Sequence, residues 1–417
     1  MSLKVPPRST PEKPEQPLRA EALPSARRSL TRRLLGALKP DRRVTDRSQA
    51  VGRTEGNRID LHLDAQGFRK ILEVVDGAKE RLSMEMFIFK DDATGRAVAD
   101  RLIAKAREGV QVRVLVDMLG TLGSGAVLDR MRRGGVEVER YYPGLLPLAG
   151  VNLTHRKIVV ADGKVGLTGG MNIADEYAGG WHDLMVSVEG PAVAGLEQTF
   201  RKEWTKAGGK DFPMSAPPHG AHPDGSSVTL MTTAPGRSRR GNSLRKGIYT
   251  AIQRAEREIW LTYPYLSDNR LVDHLRAASR RGIAVHVILP RPETNDSFLF
   301  KLLNEASARQ LADAGVDVRY LQSPRFSHVK ALSIDGTWAT VGSANGDARS
   351  YDANQELNLG IEDPRFAARL ERDLFKRWWQ SSEPYDTEYR KARWYEKPLL
   401  WGRATISHVL EWFDFMA

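Results

Sequence analysis

The chain has 417 residues, 41% of them hydrophobic and 28% charged, which is the composition of a soluble globular protein with room for two domains. It contains no cysteine, which excludes disulfides, thiol catalysis and cysteine-bound metal, and no apolar run reaches the roughly 18 residues of a membrane-spanning helix. The net charge of +11 favours a polyanionic partner, either anionic lipid or nucleic acid.

The first 50 residues are predicted to form a basic tail, since they hold 12 lysines and arginines against 5 acidic residues. Residues 1–24 are rich in proline and are predicted to be disordered. In residues 25–39, leucines fall on one face of a short helix and arginines crowd beside it. Such a helix can lie in a lipid headgroup layer or dock on the protein itself. The N-terminus has no apolar signal region, so export is not expected.

From about residue 58 the chain alternates helical and strand patterns, and the second half repeats the order of the first. The predicted helices are 69–82, 93–109, 245–259, 271–282 and 302–315, and the predicted strands are 84–89, 110–117, 136–142, 260–266, 283–290 and 316–321. Gly109 aligns with Gly282, 173 residues later, within similar segments. This pattern predicts a duplicated α/β fold with helices covering the sheets.

The domain prediction follows from this repeat and from the composition between and after the halves. Residues 206–227 are rich in Gly, Pro, Ser and His and are predicted to be a surface linker. The predicted domains are therefore 51–205 and 228–390. Residues 391–417 are apolar and aromatic, and are expected to pack on the core or to anchor in a lipid interface.

One set of polar residues occurs twice at this same separation of 173. The first copy is His155, Lys157, Asp162, Gly169, Gly170 and Asn172, and the second is His328, Lys330, Asp335, Gly342, Ser343 and Asn345. Asp183 and Glu356 keep the same phase, each 28 residues after the histidine of its own copy. Packing alone does not produce polar residues in register over two copies, so the set predicts a functional site.

The spacing within one copy predicts where the side chains lie. On a strand, the histidine and lysine of His-x-Lys share one sheet face. The Asp-Gly pairs at 162 and 335 predict hairpin turns, and we assign both aspartates to folding instead of bond making. The returning strand then brings Asn172 or Asn345 back toward its histidine. Each copy is expected to gather an imidazole, an ammonium and a carboxamide at one sheet edge.

Two such copies facing each other have the groups that phosphodiester chemistry needs. One histidine attacks phosphorus and the other protonates the departing alkoxide, while the lysines and asparagines stabilise charge on the phosphate. Asp183 and Glu356 can accept the Nδ1–H of the histidines. We expect no cofactor and no metal site, because no His-x-x-x-His pattern is present.

These residues resemble the phospholipase D superfamily, whose signature is His-x-Lys-x4-Asp-x6-Gly-(Gly/Ser)-x-Asn in two copies, and the resemblance covers about residues 58–390. Within that superfamily the chain is most similar to bacterial cardiolipin synthases. The resemblance implies a pseudo-twofold αβ sandwich with one active site between the halves, and metal-free, ping-pong transfer of a phosphatidyl group. It also implies that His155 is the nucleophile and His328 the acid.

The chain departs from the family pattern in three places. Thr154 stands where asparagine often precedes the first histidine, and residues 346–350 replace a common Leu-Asp-Pro-Arg-Ser run. The transmembrane hairpin that precedes the catalytic part of many cardiolipin synthases does not occur. These differences bear on acceptor choice and membrane attachment.

The predicted function is transfer of a phosphatidyl group to an alcohol such as phosphatidylglycerol, at the cytoplasmic face of a bacterial inner membrane. The expected partners are an anionic phospholipid surface and a phosphatidylglycerol-like substrate, with no nucleic acid. A phospholipid hydrolase, a nucleic-acid phosphodiesterase and a non-enzymatic membrane scaffold are the alternatives. The sequence leaves the acceptor, the acyl preference and the oligomeric state open.

Overall fold

The computed structural model describes residues 52–142, 152–215, 221–233 and 242–385. The tail at 1–50, with its predicted helix, and the apolar segment at 391–417 lie outside the described residues. The strands of the described part are β1 (Arg53–Leu63), β2 (Arg81–Met86), β3 (Gln111–Asp117), β4 (Glu137–Tyr141), β5 (Ile158–Ala161), β6 (Val165–Gly169), β7 (Leu184–Glu189), β8 (Ser226–Thr232), β9 (Glu258–Thr262), β10 (Ala284–Pro290), β11 (Asp317–Leu321), β12 (Ala331–Ile334), β13 (Trp338–Gly342), β14 (Leu357–Glu362) and β15 (Ser382–Pro384). The α-helices are α1 (Ala65–Gly77), α2 (Ala93–Arg107), α3 (Gly125–Arg133), α4 (Ala192–Lys206), α5 (Ser243–Arg254), α6 (Asn269–Arg280), α7 (Phe298–Ala312), α8 (Ala348–Asp352), α9 (Pro364–Leu370) and α10 (Arg377–Gln380). π-Helical turns lie at Glu176–Gly180 and Glu371–Lys376, and a 3₁₀ turn lies at Pro292–Thr294.

All these strands belong to one mixed sheet, in the order β15-β11-β10-β9-β12-β13-β14-β8-β1-β7-β6-β5-β2-β3-β4. The order on one side of the β1–β8 pair repeats the order on the other side, with β15 added at one edge. Each half has three parallel strands (β2, β3 and β4, or β9, β10 and β11) beside antiparallel ones. The predicted duplicated α/β fold is confirmed.

The two halves join through β1, which pairs antiparallel with β7 of its own half and with β8 of the other. Its register with β8 shifts between Thr54 and Asn57. Asn57 is buried at this shift, where its Nδ2 donates to the carbonyl of Ser226 at 3.2 Å. Its Oδ1 accepts from the N–H of Ala192 at 2.8 Å. The amide thus supplies hydrogen bonds where the strand ladder is interrupted.

Helices cover both faces of the sheet. Successive side chains of a strand point to opposite faces, so alternate residues of one strand pack in different cores. On β5, Val159 and Ala161 enter a core with α1, α2 and α3, and Ile158 and Val160 enter a second core with α4 and α9. A third core holds α5, α6 and α7. The second core draws on both halves, so it holds them together. No helix in the described part is long and apolar enough to cross a bilayer.

The repeated helices and strands occur close to their predicted positions, but the His-x-Lys segments are not in strands. β5 begins at Ile158 and β12 at Ala331, each directly after the motif lysine. The residues before them instead form isolated bridges to the other half, Thr154 with Gln355 and His182 with Ser327. The strand prediction is wrong here because the pairing partners come from a segment distant in sequence.

The described residues between α4 and β8, 207–215 and 221–225, contain no helix or strand. Phe212 is nevertheless buried with Phe200 and Trp204 of α4. This part of the predicted linker is therefore fixed to the first half. The domain boundaries themselves stay a prediction.

Candidate active site

Each motif copy folds as a hairpin whose turn begins at the motif aspartate. Asp162 has a φ of 53° and Asp335 a φ of 55°, the left-handed conformation that a two-residue hairpin turn requires. The carboxylate of Asp162 accepts from the N–H groups of residues 79–81 at 2.8–2.9 Å. Asp335 accepts from residues 256–258 at the same distances. Both carboxylates tie the hairpin to the start of a neighbouring strand, at the end of β5 or β12 away from the histidine.

The backbone of each histidine is held by the opposite half of the molecule. His155 donates its N–H to the carbonyl of Gln355 at 2.9 Å, and His328 donates to the carbonyl of His182 at 2.8 Å. The two side chains are 10% and 5% exposed, so both imidazoles are almost entirely out of water. Neither half can position its own histidine without the other.

The carboxylates of Asp183 and Glu356 are exchanged between the copies. His155 Nδ1 lies 3.0 and 3.1 Å from the carboxylate oxygens of Glu356, and His328 Nδ1 lies 2.8 Å from Asp183 Oδ2. A carboxylate on Nδ1 fixes the tautomer and leaves Nε2 free for chemistry. Each histidine thus has the acid of the other copy as its partner.

The surroundings of the two carboxylates differ. Glu356 also accepts from the hydroxyls of Ser343 at 2.5 Å and Ser350 at 2.9 Å. Asp183 accepts from the N–H of Leu184 at 2.8 Å, and Gly170 takes the position that Ser343 has in the second copy. The Glu356 carboxylate therefore accepts from two hydroxyls in addition to His155. The Asp183 carboxylate has backbone atoms of Leu184 and Gly170 in place of those hydroxyls.

The motif glycines are required by close approach of neighbouring atoms. A Cβ on Gly169 would lie 2.3 Å from the carbonyl oxygen of Leu184, and one on Gly342 would lie 2.3 Å from that of Leu357. A Cβ on Gly170 would lie 2.1 Å from Asp183 Oδ1. These distances are far below van der Waals contact, so no side chain fits.

Gly170→Ala is therefore expected to displace the Asp183 carboxylate, to lower the free energy of unfolding by about 1–3 kcal/mol and to reduce turnover. Gly77→Ala is the matched control, since a Cβ at Gly77 meets no atom within 4 Å. Urea unfolding and turnover of both variants test this. A Gly170→Ala protein that matches the wild type in both would mean that Asp183 has room to move.

Both motif lysines are buried and donate to the carbonyl of the histidine two residues earlier. The distances are 2.7 Å for Lys157 to His155 and 2.6 Å for Lys330 to His328. Burial lowers the pKa of Lys157 to about 7, with a further contribution from Lys330, and lowers the pKa of Lys330 to about 8; Glu356 and Asp183 partly offset both shifts. Lys157 of the first copy and Lys330 of the second are thus both affected by Asp183 and by Glu356, which indicates that the two copies form one site.

Burial also favours the neutral forms of the histidines. It lowers the pKa of His155 to about 4, although Glu356 opposes the shift, and it lowers the pKa of His328 well below its usual value, helped by both lysines and His155. Burial raises the pKa of Asp183 to about 7. The Asp183–His328 pair can therefore hold an additional proton up to neutral pH.

Both motif asparagines are buried, and each has a polar atom without a hydrogen bond of good geometry among the described residues. Asn172 Oδ1 accepts from the N–H of Ile88 at 3.0 Å, and its Nδ2 has the Tyr177 hydroxyl within reach but forms no well-aligned hydrogen bond with it. The N–H of Asn345 donates to Ser350 at 3.1 Å, and its Oδ1 has no partner. Buried polar atoms without partners are rare in proteins, and these suit a polar ligand.

In the described part of the chain, four aromatic rings surround His328 and one lies beside His155. Tyr177, Trp181, Phe326 and Tyr265 have ring centroids 5.4, 5.6, 6.2 and 6.4 Å from that of His328. The ring near His155 is that of Phe87, at 4.9 Å. The motif spacing did not indicate these rings, because two of the four around His328 come from the first half.

Arg156 is a second feature that the motif did not reveal. It lies between His155 and Lys157, where the second copy has Val329. Its guanidinium is buried and donates to Gln355 Oε1 at 2.8 Å and to the carbonyl of Thr233 at 3.1 Å. Arg156 thus ties the first histidine segment to the second half, and a charged residue in place of an apolar one was its only signal in the sequence.

Comparison with known proteins identifies the family of the chain. The chain matches the family described as cardiolipin synthase, PLD-like domain, over residues 71–204 and 248–379. It is 34% identical over 328 residues to cardiolipin synthase A of Pseudomonas syringae, covering 76% of this chain and 67% of the relative. It is 33% identical over 334 residues to the major cardiolipin synthase of Bacillus subtilis, covering 76% and 68%.

Among solved structures, the phosphatidylserine synthase of Haemophilus influenzae has the same fold, with a TM-score of 0.65 over 85% of this chain and 95% of that one, at 16% identity. A polyphosphate kinase of Porphyromonas gingivalis superimposes with a TM-score of 0.56 over 79% of this chain and 49% of that one, at 14% identity. The fold is thus shared beyond the sequence relatives. The chain belongs to the cardiolipin synthase family of phospholipase D-like proteins.

Proposed function

We propose that the protein transfers phosphatidyl groups in two displacements through a phosphohistidine at His155. Family membership makes it an enzyme of the phosphatidyltransferase and phospholipase D kind. In the first step, His155 Nε2 attacks the phosphorus of a phospholipid such as phosphatidylglycerol. The bond from phosphorus to the glycerol oxygen breaks, and the Asp183–His328 pair gives its proton to that oxygen.

In the second step, a hydroxyl of the acceptor loses its proton to His328 and attacks the phosphorus. The bond to His155 breaks, and the free imidazole is restored. With phosphatidylglycerol as acceptor the products are cardiolipin and the glycerol released earlier. His328 acts as acid and then as base, so the enzyme returns to its starting protonation state.

The observation that carries this proposal is the crossed pairing of His155 with Glu356 and of His328 with Asp183. A neutral His155 whose Nδ1–H points to the Glu356 carboxylate can act as the nucleophile through its Nε2. The Asp183–His328 pair, which retains a proton near neutral pH, can act as the general acid. This asymmetry supports His155 as nucleophile and His328 as acid.

The remaining motif groups are assigned to charge stabilisation. Lys157 and Lys330 carry positive charge into a site that excludes water, where it acts strongly on the phosphate oxygens. The buried Nδ2 of Asn172 is assigned as a neutral donor to the phosphate. Asp162, Asp335 and the motif glycines hold the hairpins and make no contact with the phosphate in this scheme.

We assign the protein to the surface of an anionic phospholipid membrane, on the cytoplasmic side of a bacterial inner membrane. The net charge of +11 supports attraction to such a surface. The two segments that match the family, 71–204 and 248–379, support our assignment of two catalytic domains at 51–205 and 228–390. A nucleic-acid substrate is not part of this proposal.

The test is product analysis with the purified full chain and vesicles of phosphatidylglycerol. Cardiolipin and free glycerol in equal amounts are expected. Phosphatidic acid without cardiolipin would identify a hydrolase instead, and cleavage of added DNA would identify a nuclease. His155→Ala serves as the inactive control, so that products from a contaminating enzyme are recognised.

The dependence of kcat/KM on pH is expected to be bell-shaped, because this ratio reports the groups of the free enzyme. As pH rises through 7 to 8, Lys157 and Lys330 lose their charges and the Asp183–His328 pair loses its proton, so kcat/KM falls. As pH falls toward 4, His155 is protonated and the nucleophile is lost. A monomeric short-chain substrate keeps vesicle effects out of the measurement. A profile that is flat from roughly pH 6 to 10 would contradict these assignments.

A further inference from the structure

Three large hydrophobic side chains are exposed among the described residues, and all three follow the carboxyl ends of parallel strands, which we call the carboxyl edge of each half. They are Leu122, Tyr142 and Phe298, which are 72%, 63% and 74% exposed. Leu122 follows β3, Tyr142 directly follows β4, and Phe298 begins α7 after β10. β3 and β4 belong to the parallel group of the first half, and β10 belongs to that of the second half.

This is the edge that holds the catalytic histidines. On the first half, the last residue of β3, Asp117, accepts from the N–H of Thr154 at 2.9 Å, and Thr154 directly precedes His155. Asp117 also pairs with Tyr141, the residue before Tyr142. Leu122 and Tyr142 are thus only a few residues from direct contacts with the His155 segment.

A similar chain of contacts leads to Phe298 on the second half. The ring of Phe300 stacks on Tyr265 at 4.1 Å, and the ring of Tyr265 lies 6.4 Å from that of His328. Phe298 is two residues before Phe300, at the exposed start of α7. Apolar side chains therefore project beside the site from both halves.

From this arrangement we infer that the edge carrying Leu122, Tyr142 and Phe298 is the surface by which the protein docks on a phospholipid bilayer, with these side chains entering the headgroup region. The inference rests on the proposed function, because a phosphatidyl substrate must reach the histidines while its acyl chains remain in the bilayer. Single exposed hydrophobic residues are ordinary, but here every one in the described part borders the catalytic edge.

Two further observations favour a bilayer over a protein partner. Leu122 and Phe298 follow β3 and β10, which have matching positions in the two halves, so each half places an exposed apolar side chain beside its own histidine. The chain also has a net charge of +11, which complements an anionic lipid surface. Aromatic and aliphatic side chains at the lipid interface add the contribution that charge alone does not supply.

The absence of cysteine allows a direct test by site-specific labelling. Phe298→Cys and Leu122→Cys, each carrying an environment-sensitive fluorophore, are mixed with vesicles of phosphatidylglycerol and phosphatidylcholine. Thr337→Cys is the matched control, because Thr337 is exposed in the hairpin turn after Asp335, at the end of β12 away from His328. A blue shift at 298 and 122, quenched by spin-labelled lipid, with no change at 337, is expected. Equal responses at all three positions, or a response at 337 alone, would overturn the inference.

A kinetic arm separates docking from catalysis. The double variant Leu122→Ser, Phe298→Ser is expected to lose roughly tenfold or more of its activity on vesicles, because two apolar side chains no longer enter the bilayer. On a soluble short-chain phospholipid its kcat/KM is expected to equal that of the wild type. Equal losses on both substrates would overturn the inference.

Failure of the proposed function has a different signature from failure of this inference. Wild-type protein that transfers nothing on either substrate would refute the proposed function, and the fluorophores would still report whether the edge meets lipid.

Sedimentation of the wild type and the double variant tests the competing protein partner. A wild-type dimer that the two serine substitutions dissociate would show that this edge binds a second copy of the chain, and would overturn docking on lipid.

Discussion

His328→Ala is expected to release one equivalent of p-nitrophenol per active site from phosphatidyl-p-nitrophenol and then to stop. The p-nitrophenolate anion leaves without a proton, so the first displacement needs only the nucleophile, His155. The second displacement needs a base to activate the acceptor, and the variant lacks it. The phosphatidyl group should therefore remain on His155, where intact-protein mass spectrometry detects it.

His155→Ala is the matched variant, because His155 and His328 are both buried and each pairs with a carboxylate. It should give no burst with the same substrate and lose at least roughly 10⁴-fold in turnover, as expected for removal of a nucleophile. A burst from His155→Ala and none from His328→Ala would exchange the two roles. Full turnover by either variant would refute a shared site.

Glu356→Gln is expected to slow the burst itself, by roughly 10²-fold or more, whereas Asp183→Asn should leave the burst intact and block the second step. The reason is the crossed pairing, in which Glu356 accepts from His155 and Asp183 from His328. An amide that turns its NH₂ toward Nδ1 favours the wrong tautomer and moves the proton to Nε2. Rapid-mixing absorbance with phosphatidyl-p-nitrophenol measures both effects.

Pairing within each copy makes the opposite prediction, in which Asp183→Asn slows the burst and Glu356→Gln does not. Ser343→Ala is a useful control, since it removes one donor to Glu356 without removing the carboxylate. Its burst should be slowed much less than that of Glu356→Gln. Circular dichroism and urea unfolding of all three variants show whether the fold is retained, because each change lies in the buried site.

Much of the local structure could be predicted because it depends on residues close in sequence. The apolar periodicity of residues 93–109 predicted α2, and the Asp-Gly pairs at 162 and 335 predicted the hairpin turns. The separation of 173 between matching residues predicted the duplication and the polar groups of the site. These signals are local or are repeated in the sequence, so one chain suffices to find them.

The central strands were not predicted, although they join the halves. β1 and β8 pair with each other and with β7 and β14, and their patterns do not show which partners they take. The His-x-Lys segments were placed on strands because their sequences are strand-like. In the structure they precede the strands. The N–H of His155 donates to the carbonyl of Gln355 and the N–H of His328 donates to the carbonyl of His182, so each histidine bonds to the opposite half of the molecule and not to a neighbouring strand.

The sequence by itself determined that the chain is duplicated, that it carries two copies of a histidine, lysine and asparagine set, and that this set suits phosphodiester chemistry. Only the tertiary structure decided which carboxylate serves which histidine, which aromatic rings border His328, and which edge of the sheet exposes apolar side chains. Residue spacing defines contacts within a strand, a turn or a helix. Contacts between the halves depend on how the two halves of the sheet join at β1 and β8, and no short segment encodes that.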